Sequence, residues 1–342
     1  MAVSHRNNIW KTQLFGLFAL AFLSSTLSNA QYTEVINSNR PGESVGAFAV
    51  GTGVIQLESG FFYEQRDHSL LETDSQIFGL GVALRYGLIF ESLELFYEGA
   101  YQTQNITYKT SGLEDKFSDF GRNRLGLKYL IFDPFKDPER SKPNLYSWRA
   151  NNTFQWRNLI PAVSVYAGAN FLFGDNPFFG PDEPSISPRV MVATQSLLTP
   201  RFVLTGNIIY DRIGTDFPAW SYVISLSHAL RNPRWSVFVE NQGIKSDRYS
   251  DVLLRGGTAY LFSKNFQADL FVGGSFKNTP SRFFGAVGVS YRLDKHQDKL
   301  KPIEDQDPKI GRKDMRKKQK GSDKPKKKKG KKKKNDASEI DW

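Results

Sequence analysis

Ile77-Phe78-Gly79-Leu80-Gly81-Val82-Ala83-Leu84-Arg85-Tyr86 decides the fold of this chain. Phe78, Leu80, Val82, Leu84 and Tyr86 fall at every second position. Gly79, Gly81, Ala83 and Arg85 fill the places between. Side chains of a strand point alternately to its two faces, so this stretch reads as a β-strand with one bulky apolar face and one small or polar face. The pattern repeats outward in both directions. Upstream, in 54–64, Ile55, Leu57, Phe61 and Tyr63 oppose Gln56, Glu58 and Glu64. Downstream, in 93–104, Leu93, Leu95, Tyr97 and Tyr101 oppose Glu94, Glu98, Gln102 and Gln104. In 121–131, Leu125, Leu127, Tyr129 and Ile131 oppose Arg122, Arg124 and Lys128. The stretch 146–159 is weaker and reads as the lead of a fifth strand running to 172. Seven further segments follow: 187–198, 201–212, 220–230, 234–242, 252–261, 266–277 and 283–293.

About twelve strands of roughly ten residues have the length that crosses a bilayer at barrel tilt. A soluble sandwich would show the same alternation with its apolar face inward. Two features favour the membrane. Charges recur at strand centres, as in a wet or hydrogen-bonded lumen, and Tyr63, Tyr86, Tyr101, Tyr129, Tyr210, Tyr260 and Tyr291 cluster near strand ends, as in interfacial girdles. The fold expected is all-β: a transmembrane antiparallel barrel of about twelve strands over 54–293, in contact with outer-membrane lipids.

The flanks agree with export. Arg6 and Lys11 precede a ten-residue apolar run from Leu14 to Leu23, and Ser28-Asn29-Ala30 offers a cleavage site, so 1–30 reads as a signal peptide. The run is half the length of a spanning helix. The expected address is the outer membrane of a Gram-negative cell envelope. The net charge of +11 misleads until it is placed. Residues 31–293 carry 25 basic and 25 acidic side chains, whereas 294–342 carry 19 and 10. The tail is low-complexity and expected to be disordered in the periplasm. Its runs Lys326, Lys327, Lys328, Lys329 and Lys331, Lys332, Lys333, Lys334 suit an anionic surface such as peptidoglycan. Export argues against nucleic acid. Ile340 and Trp342 at its end have the character of a docking motif for a periplasmic or outer-membrane protein complex; a solvated terminus fits equally.

Loop lengths suggest an orientation. Short turns such as 231–233 and 262–265 would face the periplasm, with longer connections at 104–119, 174–186, 212–219 and 243–251 outside and 132–145 an unusually long periplasmic link.

Four pieces of the chain resemble a known family: Val35-Ile36-Asn37-Ser38-Asn39-Arg40-Pro41-Gly42, Val50 to Gly60, Arg122 to Tyr129 and Ile160 to Val165. It is the outer-membrane transporter family named after the MetA pathway of phenol degradation. The resemblance implies a barrel of about a dozen strands and, from the family's name, transport of small hydrophobic compounds. It does not extend to the tail.

The candidate lumen charges are Glu58, Arg85, Glu94, Glu98, Arg122, Arg124 and Lys128. They read either as a selectivity lining or gate of a pore, or as neutralising pairs that fill a small barrel. The lead-in, 31–53, fits both a lumenal plug and an extended periplasmic approach. Catalysis finds little support: Cys is absent, the four His have no metal-ligand spacing, and no Gly-x-Ser-x-Gly elbow or nucleotide loop is present, so neither an enzyme nor a cofactor is expected. A porin-like pore or transporter for small solutes is the leading function. The alternative is a non-transporting accessory subunit of an outer-membrane assembly or secretion complex, docked through its tail.

Overall fold

The computed structural model describes residues 35–136, 144–180 and 183–295. Twelve antiparallel strands close on themselves in chain order, with the last paired to the first. They are β1 (Ile55–His68), β2 (Thr73–Gly87), β3 (Leu93–Tyr108), β4 (Glu114–Phe132), β5 (Ala162–Phe171), β6 (Ile186–Thr199), β7 (Phe202–Asp211), β8 (Ala219–Ala229), β9 (Trp235–Ser246), β10 (Ser250–Ser263), β11 (Phe266–Ser275) and β12 (Ser281–Leu293). The closing seam is in full register, from Ile55 opposite Leu293 to Asp67 opposite Ser281. Closure leaves no edge, as a strand protein in lipid requires.

The alternation read from the sequence sorts the two faces as expected. Phe61, Val239, Val272, Phe283 and Val287 are more than half exposed on the outside. Gln56, Glu58, Arg85, Glu94, Lys128 and Glu240 are almost wholly buried inside. A soluble sandwich would show the reverse. Aromatic pairs ring both rims on the outer face. Trp235, Tyr260, Phe262, Phe266 and Tyr291 form a chain of ring contacts at the end that carries the barrel's termini. Tyr63–Phe78, Tyr101–Phe120 and Tyr210–Trp220 lie towards the other, distal end. Val287 sits at the centre of β12 between the two rings. Placing Arg there should cost about 2–4 kcal/mol, the midplane penalty for an exposed cation in lipid. Reversible unfolding of the V287R barrel in lipid vesicles measures it, with a Ser250→Arg change at the distal tip as the near-neutral control.

Two sequence expectations change. The stretches 104–119 and 243–251 are not long loops: β3 and β4 meet at a five-residue turn, 109–113, and β9 and β10 at a three-residue turn, 247–249. There the alternation of apolar and polar side chains fades while the ladder continues. A register shift at Ala100/Tyr101 places Gly121 as an extra residue in β4 where the projecting hairpin begins. The stretch 146–159 is helical: α1 (Trp148–Asn152), capped by the Ser147 side chain, then a 3-10 turn, Trp156–Leu159. The fifth strand starts only at Ala162. Of the two courses open to the lead-in, its described part takes the lumenal one and defines the interior of the barrel.

Candidate functional site: a threaded lumen

Residues 35–54 carry no regular secondary structure, so their backbone groups need other partners. The lumen side chains supply them. The segment starts at the termini end, where the Ile36 amide donates to the Lys264 carbonyl in the β10–β11 turn. Ser38 Oγ meets Ser290 Oγ of β12 at 2.7 Å. The Asn39 amide donates to Glu58 of β1. The chain then crosses the lumen. The Glu43 and Ser44 amides both donate to the Glu240 carboxylate of β9, at 3.0 Å each. Asn207 of β7 grips Val45 twice, accepting from its amide and donating to its carbonyl, each at 2.8 Å. The Ala47 amide donates to Gln195 of β6. The Val50 amide ends the traverse on Glu94 of β3 at 2.9 Å. A chain with no ladder of its own is thereby satisfied by the wall.

Charge and packing pin it further. Arg40 forms a bidentate pair with Asp269 of β11, Nη2 to Oδ1 at 3.0 Å. Its guanidinium lies over Gly60 and Gly288, which face each other across the β1–β12 seam. A Cβ at either glycine would stand within 2.4 Å of it, so the glycines are the cradle that lets Arg40 reach Asp269. Glu43 pairs with Arg122 of β4 at 3.0 Å. On the apolar side Val45 packs into a cluster of Phe96, Tyr166, Met191, Ile209 and Val223. Ala47 and Phe48 pack with Leu130 and Ala162, against Phe135 of the β4–β5 connection.

All seven charges singled out in the sequence point inward, and they fall into two groups. Glu58, Arg85, Glu94 and Lys128 are fully buried beside the threaded segment. Glu94 binds Arg85 at 2.9 Å and Lys128 at 2.8 Å, and Glu58 stands 3.9 Å from Arg85. Arg85 also donates to the Asn37 and Phe48 carbonyls, and Lys128 to those of Gly46 and Phe48. These cations serve the segment as well as their carboxylates. Glu98, Arg122 and Arg124 lie on the distal side, where Glu98 is 3.8 Å from both guanidiniums and Arg124 reaches Asp211. Sequence reading did not single out Arg40, Glu43, Asn207, Glu240 or Asp269. The visible signal was the run Asn39-Arg40-Pro41-Gly42, a charge beside a chain break ahead of the first strand. The tail residues Ile340, Trp342 and the Lys326–Lys334 runs lie outside the described residues. Among the described residues no group of three His, Asp or Glu is placed to hold a metal.

Beyond the segment, on the distal side, the lumen opens into a cavity of about 610 Å³. Phe62, Phe96, Phe178, Phe271 and Phe284 are among its walls, with Glu43 and Arg40 in its floor. A second cavity of about 490 Å³ adjoins it and shares Arg66, Arg122 and Arg282 with it.

This architecture can be set against known proteins. Residues 38–293 match the family model described as "Putative MetA-pathway of phenol degradation". The chain belongs to this family. The match begins inside the threaded segment and ends at the last residue of β12, so it spans the lumenal path as well as the wall. No curated protein sequence matches the chain. Solved structures similar in fold include an outer-membrane channel from Pseudomonas putida F1 (8% identity, TM-score 0.47, covering 75% of this chain and all of that one). Others are the CymD monoaromatic hydrocarbon channel (12%, TM-score 0.38, 72% and 90%) and the translocator domain of the autotransporter NalP from Neisseria meningitidis (11%, TM-score 0.43, 71% and 89%). The chain itself is a closed twelve-stranded barrel. Its task has to be argued from its own interior.

Proposed function

We propose that the protein is an outer-membrane transporter for small hydrophobic solutes, with residues 35–54 as a plug that moves to let them pass. The observation that carries this reading is the way the segment is held: by individual hydrogen bonds and ion pairs to wall side chains, with no strand pairing. Such contacts can be exchanged one at a time for water or solute. The phenyl-lined cavity on one side of the plug supplies the waiting place for a solute, and its volume falls in the range of small-molecule sites. The family's name points to the same solute class. The distal end faces outward on this reading, and the termini lie in the periplasm.

The chain has no cysteine, which makes a clean lock available. Ser38 and Ser290 touch through their hydroxyls at 2.7 Å, one on the plug and one on β12. A disulfide in S38C/S290C therefore needs little backbone movement. Cells carrying the oxidised variant should take up the hydrophobic probe N-phenyl-1-naphthylamine no faster than cells without the protein, and reduction should restore wild-type uptake. Equal uptake in both redox states would favour the accessory-subunit reading, in which the plug never moves.

A further inference from the structure

We infer that the distal vestibule is a binding site for amphipathic anions, a carboxylate or sulfonate on a compact apolar body, so that the solute class of the proposed transporter is anionic amphiphiles rather than hydrocarbons at large. The inference rests on the transport reading for its biological sense, but not for its chemistry.

The charge around the two adjoining cavities does not balance. Glu64 of β1 accepts from Arg66 at 2.7 Å and from Arg282 of β12 at 2.5 Å, so one carboxylate serves two guanidiniums. Asp211 of β7 is likewise shared by Arg189 at 2.6 Å and Arg124 at 3.4 Å. Arg248, in the β9–β10 turn, has its guanidinium 3.1 Å above the Phe217 ring and no carboxylate partner among the described residues. Arg122–Glu43 and Arg212–Glu183 are matched pairs, and Glu98 stands 3.8 Å from both Arg122 and Arg124. Guanidiniums thus exceed carboxylates around the second cavity, where Arg66, Arg122 and Arg282 stand at its junction with the first. Arg is the side chain best shaped for a carboxylate or sulfonate, because its planar fork offers paired donors.

A second observation is independent of the charge count. Arg255 of β10 is 6% exposed and lines the first cavity. It gives Nη1 to Glu240 and Nη2 to Gln242, yet its buried Nε has no hydrogen-bond partner. Asn39, on the plug, lines the same cavity, and its buried side-chain amide nitrogen is also unsatisfied. Buried donors without acceptors are costly, and an anionic or polar group entering the cavity relieves them. Meanwhile Phe62, Phe96, Phe271 and Phe284 offer ring faces for an apolar body. Head and body are therefore provided for at adjoining places: guanidiniums at the junction, phenyl groups below it, and the plug as the floor.

The test compares an anion with its neutral isostere on the full-length protein in a non-ionic detergent. Equilibrium dialysis of 4-phenylbutyrate against 4-phenylbutanol, and of octanoate against octanol, separates aromatic from alkyl bodies. In the wild type each anion should bind about tenfold tighter than its alcohol, about 1.4 kcal/mol, with the advantage shrinking as salt is raised. R66Q removes the surplus cation and leaves the Glu64–Arg282 pair matched, so it should bring the two affinities together. R248Q, at an exposed site in the β9–β10 turn, should narrow the gap in the same direction. Equal binding of anion and alcohol by the wild type would overturn the inference, as would an anion preference that survives both variants. Either result leaves the redox-locked uptake experiment untouched, so failure of the anion site and failure of transport read out separately.

Discussion

Glu94→Gln should destabilise the barrel by about 3–5 kcal/mol, the cost of stripping the partner from buried charge. Glu94, Arg85 and Lys128 are all fully buried, and this one carboxylate contacts both cations within 3 Å. An amide in its place can accept hydrogen bonds but carries no charge, so Lys128 loses its anion and Arg85 retains only Glu58 at 3.9 Å. The Val50 amide loses its charged acceptor as well. Urea unfolding in lipid vesicles, followed by Trp fluorescence, measures the loss. Adding Lys128→Met to Glu94→Gln should recover part of it, because one unpaired cation is removed with its partner. If E94Q unfolds with the wild type, the buried triad is not holding the wall.

Deleting residues 35–49 should turn a closed barrel into a conducting one, with single-channel conductance in planar bilayers rising about tenfold or more as water replaces the plug. The segment hydrogen-bonds or ion-pairs with side chains of nine strands. The deletion frees Glu240, Asp269 and Glu58 from their plug partners, but into water, where charge is hydrated at little cost. The wall should therefore survive a change that would be ruinous in a dry core. Replacing Arg122 and Arg124 with Gln in the deletion background should move the reversal potential in a salt gradient towards cation selectivity. Conductance that stays at the wild-type level after the deletion would mean that the β4–β5 connection, with Phe135, seals the barrel by itself.

The wall was legible in the sequence because lipid on one side and a polar lumen on the other impose period two on every strand. Phe78 to Tyr86 carries that rule without exception. It failed where its cause stops acting. Thr107, Lys116 and Asp119 lie in strands whose polar residues interrupt the alternation, and so resembled loop. The stretch 146–159 read as the lead of a fifth strand although no clear period of two supports it, and a short helix and a 3-10 turn occupy it instead. Glu58, Arg85, Glu94 and Lys128 were legible as lumen residues from their parity alone. What they bind was not. The plug has no periodicity, and its partners are scattered over nine strands, from Glu58 to Ser290. Only the closed sheet brings Asp269, Glu240 and Asn207 to the Arg40–Val45 stretch.

Arg40 lies across the seam, over Gly60 of β1 and Gly288 of β12, while its charge is answered from β11. The first strand made and the last strand made must meet there, over the longest loop the barrel has to close, which is the slow step for a fold of this kind. A slip of one residue at that junction exchanges the inward and outward faces of β12. Val287 or Val289 would then sit under the guanidinium in place of Gly288, and Arg40 could not lie flat. The plug thus inspects the seam: only the correct register leaves a groove deep enough to receive it, and a barrel zipped one place out of step would be left with its own leading segment outside.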